Sequence, residues 1–190
     1  MAVPVLRAFS FVGGTALAFR YVHRNSVDLD LFYHEKFDQS LVIEALEATF
    51  QQRFVDKQQH TQFGIFCFID NIKVDFVYFP QFPIAAFEEE ENIRFYSLAD
   101  ISAKKIQALF GRAQKKDFWD LYELLRNYPL QQLMDWHKLK YPSQMLAISI
   151  PHAITYFADA EESDTPVSYK GQTLEIVKKG TNRVVSDYLR

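Results

Sequence analysis

The chain has 190 residues, long enough for one domain with a sizeable core or for a core with an appended lobe. Its 48% hydrophobic content and 18 Phe exclude a disordered chain, and a net charge of −3 with a pI near 6.0 excludes a global basic field, leaving any nucleic-acid contact to a local patch. The single cysteine, Cys67, excludes an internal disulfide and, set in an apolar run, reads as core in a reducing compartment. No apolar run approaches the ~20 residues needed to span a bilayer, and the start MAVPVLRAFSF lacks the long apolar stretch of a signal peptide. A soluble cytoplasmic protein without a membrane partner is expected.

Residues ahead of Gly13 predict a short strand or helix end. The stretch 11–32, FVGGTALAFRYVHRNSVDLDLF, then combines a Gly-Gly-Thr turn, an apolar segment, a polar loop and an alternating strand. Gly13 and Gly14 can adopt angles closed to other residues, letting successive N–H groups converge on an anion at the start of a helix. Thr15 to Val22 predicts that helix, apolar nearly all round, with Thr15 near its N-terminus. The loop from His23 to Ser26 brings the Arg24 guanidinium and the Ser26 hydroxyl close to where a triphosphate would sit; Arg24 could equally balance the charge of Asp28 or Asp30. In the strand, Val27, Leu29 and Leu31 fall on one face, Asp28 and Asp30 on the other. Such a carboxylate pair repels itself unless a proton or a cation intervenes, which points to a divalent metal.

Asp38 is the expected N-cap of a helix reaching Phe50. Phe54-Val55, Gln62 to Ile69 and Ile72 to Phe79 read as strands, the last two joined by a tight Asp70-Asn71 hairpin, giving a mixed sheet of four or five strands. Asp75, between Val74 and Phe76, needs a partner: either a salt bridge to Lys73 or membership of the Asp28/Asp30 cluster, with carboxylates about 3–6 Å apart around a metal. Pro80 to Arg94 reads as a surface loop with a solvated Glu88 to Glu91 run. Leu98 to Phe110 predicts a helix with Asp100, Lys104 and Gln107 on its polar side and Lys105 inside its apolar arc. After a basic linker from Arg112, the helix Lys116 to Tyr128 carries Asp117 in its apolar arc, Asp120 at the margin and Glu123 outside. Lys105 and Asp117 can meet as a buried ion pair, or Lys105 can face an anion in a cleft. Beyond Pro129 a helix over Gln144 to Phe157, interrupted at Pro151, and a terminal helix over Thr173 to Leu189 are expected.

The Gly-Gly turn, Asp28-Leu29-Asp30 and the later Asp75 together resemble the nucleotidyltransferase superfamily that includes DNA polymerase β. The words GGTALAF, HRNSVDLDLF, KVDFVYFP, DISAKKIQALFGR and KKDFWDLYELL, in that order, resemble the AbiEii/AbiGii toxin family within it. The resemblance implies an α/β fold: a mixed β-sheet core packed with helices over residues 1–96, and a helical lobe over 97–190 that completes a cleft. It further implies that Gly13, Gly14 and Ser26 hold nucleotide phosphates, that Asp28 and Asp30 bind Mg2+ or Mn2+ with Asp75 as a less distinctive third ligand, and that Lys105 and Asp117 belong to the catalytic set. By their positions Thr15, Arg24 and Lys105 are further candidates to meet the phosphates. NTP is then the donor, tRNA or a protein the acceptor, and a cognate antitoxin a partner. Relatives carry more helix ahead of the Gly-Gly turn than this sequence does.

The reading is metal-dependent transfer of an NMP to an acceptor hydroxyl by a toxin of toxin–antitoxin or phage-defence type. Two alternatives use the same residues: a metal-dependent phosphohydrolase, and a catalytically silent nucleotide-binding module paired with an antitoxin.

Overall fold

The structure, a computed structural model, describes residues 3–57, 61–111 and 113–190; Arg112, the first residue of the expected basic linker, lies outside them. The chain forms two compact units, Met1–Ala16 with Val27–Ser97 and Leu17–Ser26 with Leu98–Arg190.

Among the described residues the first unit is built on a mixed seven-stranded sheet of β1 (Ser10–Val12), β2 (Leu29–Tyr33), β3 (Phe54–Asp56), β4 (Gly64–Ile69), β5 (Ile72–Tyr78), β6 (Glu88–Glu90) and β7 (Ile93–Phe95). The strand order is β3-β4-β5-β2-β1-β7-β6. β2 runs parallel to β5 and antiparallel to β1. The alternation of β2 and β5 sends Leu31, Val74 and Phe76 to an apolar face, where all three are buried. Phe9 packs there edge-on against Phe76 and Phe37, with ring centroids 5.3 and 4.8 Å away. Helix α2 (Gln39–Phe50) adds Val42 and Leu46, both fully buried, and Asp38 caps it as expected by accepting from the Ser40 and Leu41 amides. Cys67 is core, and burial pushes its thiol up to about 12. The Asp70-Asn71 turn joins β4 and β5 with both residues at positive φ, 51° and 63°.

Three sequence expectations for this unit change. The sheet has seven strands because the expected loop 80–94 contains the β6–β7 hairpin, turning at Glu91 and Asn92 with φ of 49° and 61°. The glutamate run that suggested a solvated loop is an edge strand, where charge suits the open side. Val27 does not join the apolar face: pairing begins at Leu29, and Val27 is exposed.

Helix α1 (Gly13–Tyr21) starts at the first glycine of the turn, and the boundary between the units falls after Ala16. It is not buried all round, since Phe19 is 47% exposed. The second unit contains α3 (Leu98–Leu109), α4 (Lys115–Asn127), α5 (Leu130–Lys140), α6 (Ile150–Thr155) and α7 (Leu174–Tyr188). Its centre is α4, whose Asp117, Phe118, Trp119, Asp120, Leu121 and Leu124 are fully buried. Asp120 and Glu123 are therefore interior, against the expectation of a one-sided helix. Asp100, expected on a polar side, is also interior and is held by Lys140 at 2.6 Å. α5 was not expected because its inward stripe, Leu130, Leu133, His137 and Lys140, is half polar. Pro151 opens α6 within its first turn rather than interrupting a longer helix. The terminal helix is as expected, with Thr173 accepting from the Ile176 amide. Among the described residues no helix is long and apolar enough to cross a membrane.

Candidate active site

Parallel pairing of β2 with β5 sets Asp30 directly beside Asp75, and antiparallel pairing of β1 with β2 sets Val12 on Asp30's other side. Cross-strand partners share a face, so Asp30 and Asp75 project together from the side opposite the apolar core. Asp28 lies two residues upstream of Asp30, just ahead of the strand. Val12 is the last residue of β1 and Gly13 the first of α1, so Asp30, whose register partner on β1 is Val12, stands at the positive end of that helix.

Gly13 adopts φ +86°, and a Cβ there would collide with the Asp30 carboxylate. Both the conformation and the close approach require glycine. Thr15 donates its hydroxyl hydrogen to the Asp28 carbonyl, fastening the start of α1 to the entry of β2. The Gly-Gly-Thr turn and the Asp-x-Asp strand thus form one local unit, joined by a side-chain bond and by contact of a carboxylate with a bare glycine.

Lys73, two residues before Asp75 on β5, donates to Asp75 Oδ2. Burial works to lower the Lys73 pKa, but the hydrogen bond to Asp75 and the charges of Asp75, Asp30 and Asp28 outweigh it and raise the pKa. The fields of all three carboxylates converge on that ammonium. Asp75 Oδ1 is buried and has no hydrogen-bond partner among the described residues. Among those residues, no group of three or more His, Cys, Asp or Glu side chains is already gathered to enclose an ion. Hard carboxylate oxygens with one buried lone-pair set unused nevertheless suit Mg2+ or Mn2+.

In the helical unit the charges are paired among themselves. Asp120 accepts from His23 Nε2 at 2.7 Å and from Arg24 Nε and Nη2 at 2.7 and 2.8 Å, and lies 2.6 Å from Lys105 Nζ. Lys105 also donates to Asp117 Oδ1 at 3.0 Å, while Asp117 Oδ2 accepts the Gln114 amide. Burial would raise the Asp120 pKa, but Lys105, His23 and Arg24 together bring it well below the usual carboxylate range. Arg24 Nη1 donates to the Asn25 carbonyl. Around this cluster, Lys170 and Gln172 hold Glu123, and residues 167–169 bond the backbone of His23 and Asn25.

The structure thus sets Asp30 in register with Asp75 and against Gly13, and ties Thr15 to the Asp28 backbone. The expected three-carboxylate cluster is not gathered among the described residues, because Asp28 lies ahead of the paired part of the strand. Arg24, Lys105 and Asp117 come together in the helical unit. The Lys105–Asp117 pair anticipated from the two helices is present, and Arg24 balances Asp120 rather than Asp28 or Asp30. Sequence reasoning missed Asp120 as the hub. Its signal was the Asp117-x-x-Asp120 spacing, which puts two carboxylates on adjoining positions of one helix surface. In the sequence Lys73 is only a salt-bridge partner for Asp75, since the charges of Asp28 and Asp30 reach it through the β2–β5 pairing.

The fold matches that of solved structures. JHP933 from Helicobacter pylori superposes with a TM-score of 0.62 at 17% identity, over 97% of this chain and 85% of that one. MenT4, a nucleotidyltransferase toxin from Mycobacterium tuberculosis, gives 0.61 at 14% identity, over 95% and 76%. In sequence, an uncharacterised protein of Aquifex aeolicus is 31% identical over 169 residues, covering 85% of this chain and 80% of the relative. Residues 2–144 match the profile of the family described as nucleotidyl transferase AbiEii toxin, type IV TA system. With the carboxylate row, the glycine turn and the fold in agreement with that match, the chain belongs to the AbiEii nucleotidyltransferase toxin family.

Proposed function

We propose that the protein transfers a nucleoside monophosphate from an NTP to an acceptor hydroxyl on tRNA or protein, and that it acts as the toxin of a pair with a cognate antitoxin. The observation that carries this reading is the Asp30–Asp75 pair in register beside the bare Gly13 at the N-terminus of α1. Asp28, Asp30 and Asp75 would hold Mg2+ or Mn2+. The bound cation would supply charge neutralisation for the triphosphate and activation of the attacking hydroxyl. The amides of Gly13, Gly14 and Thr15 at the positive end of α1 favour phosphate oxygens. The acceptor oxygen forms its bond to the α-phosphorus as the bond to pyrophosphate breaks, with the hydroxyl proton lost to solvent or a carboxylate. Ser26, Lys105 and Asp117 are proposed for phosphate binding and catalysis on the family resemblance, and Arg24 on its place in the loop before β2. For Lys105 and Arg24, contact with a phosphate would require exchange of a carboxylate partner.

The test is incubation with each NTP, labelled at the α-phosphorus, together with Mg2+ and cell extract. Label attached to a macromolecule supports the transfer reading, and fractionation of the labelled material identifies the acceptor. Release of free phosphate without macromolecular label would instead support a phosphohydrolase, and no turnover with measurable NTP binding a silent module.

A further inference from the structure

Lys73 and Asp75 leave the same face of β5, because they stand two residues apart in a strand. The Lys73 ammonium occupies Asp75 Oδ2, an oxygen of the carboxylate that lies in register with Asp30. Opposite these positions, β4 contributes Phe66 and Phe68, neither of which carries charge. The two partners differ in burial: the Asp75 side chain is 11% exposed and that of Lys73 40%. The lysine thus reaches inward from a solvated position and can withdraw into water without opening the core.

We propose that Lys73 is a built-in counter-ion that neutralises Asp75 beside Asp30 in the metal-free protein and must release Asp75 before a divalent cation can bind, so that it sets the cation affinity of the site. The inference rests on the reading of Asp28, Asp30 and Asp75 as metal ligands. An ammonium and a divalent ion compete for the same carboxylate oxygens and repel each other when adjacent. The ion pair is partly exposed, so its release is a modest barrier rather than a block. Such a counter-ion keeps like charges from splaying the β2–β5 pairing while leaving the site available.

The test is titration of the full chain with Mn2+ in the absence of nucleotide, followed by the electron paramagnetic resonance signal of free Mn2+. Wild type is compared with Lys73→Met, Lys73→Gln, Lys73→Arg and Asp75→Asn. Lys73→Met and Lys73→Gln should bind Mn2+ about two- to fivefold more tightly than wild type, the scale of a partly exposed competing pair, and Lys73→Arg should stay near wild type. Metal-free Lys73→Gln should also melt below wild type and gain more from Mn2+. Equal or weaker Mn2+ affinity in a folded Lys73→Gln or Lys73→Met variant, with wild-type binding that Asp75→Asn abolishes, would overturn this inference alone. Wild-type binding that is absent, or that survives Asp75→Asn, would overturn the metal-ligand reading and this inference with it.

Discussion

Replacing Asp120 with alanine removes the acceptor shared by His23, Arg24 and Lys105. Lys105 keeps Asp117 at 3.0 Å, but Arg24, only 3% exposed, keeps a single bond to the Asn25 carbonyl and loses its counter-charge. Breaking a buried ion pair by deleting one partner costs about 3–5 kcal/mol. For a chain of this length each kcal/mol lowers the melting temperature by about 2–4 °C, so the expected drop is roughly 6–20 °C. The pH dependence supplies a second readout. Despite burial, Lys105, His23 and Arg24 lower the folded-state pKa of Asp120, so its stabilisation is complete above the unfolded value and is lost as pH falls through the folded one. The stability difference between wild type and Asp120→Asn should therefore shrink as the pH falls below about 4. Urea denaturation of both proteins above and below that pH is the assay. A loss for Asp120→Ala below about 1 kcal/mol, or a difference that widens on acidification, would refute the hub.

Three other outcomes are expected. Asp30→Asn should abolish transfer while leaving the metal-free fold intact or slightly more stable, because it relieves repulsion with Asp75; a large drop in melting temperature would mean that the carboxylate is structural. Gly13→Ala should cost roughly 1–3 kcal/mol and displace the Asp30 carboxylate, since residue 13 has φ +86° and its Cβ would meet that carboxylate; wild-type stability together with wild-type activity would contradict the contact. Lys105→Met should lower stability by about 3–5 kcal/mol if the lysine serves its two carboxylates, with partial recovery when Asp117 is also made apolar. A stable Lys105→Met variant with NTP affinity weakened by about 1.5–3 kcal/mol would instead assign the lysine to the triphosphate.

The candidate site was legible where chemistry and local backbone coincide. Gly13 and Asp30 are far apart in neither sequence nor space, and the period-two rule alone separated Asp30 from Leu29 and Leu31. Asp75 was legible because a carboxylate between Val74 and Phe76 demands a reason. The parallel register that sets it beside Asp30 is a tertiary fact with no local signature. The interior polar network was less legible for a different reason. Sorting α3 and α4 into apolar and polar arcs assumes that one side meets water, but α4 is surrounded, so Asp120 and Glu123 are buried with partners supplied from residues 23–24 and 170–172. Asp100 escaped in the same way, since its partner Lys140 lies forty residues along, on a helix whose inward stripe is partly charged. In the sheet, the hairpin at 88–95 was masked by charge, which marks an edge strand as readily as a loop.

In the proposed function the carboxylates on β2 and β5 support transfer of the α-phosphoryl group of an NTP. The most direct measurement supplies the same NTP labelled at either the α- or the γ-phosphorus to wild type and to Asp75→Asn, with Mg2+ and the identified acceptor. With wild type, α-label should enter the acceptor and γ-label should leave as pyrophosphate, and Asp75→Asn should do neither while remaining folded. Incorporation of γ-label into the acceptor, or α-label transfer undiminished in Asp75→Asn, would contradict it.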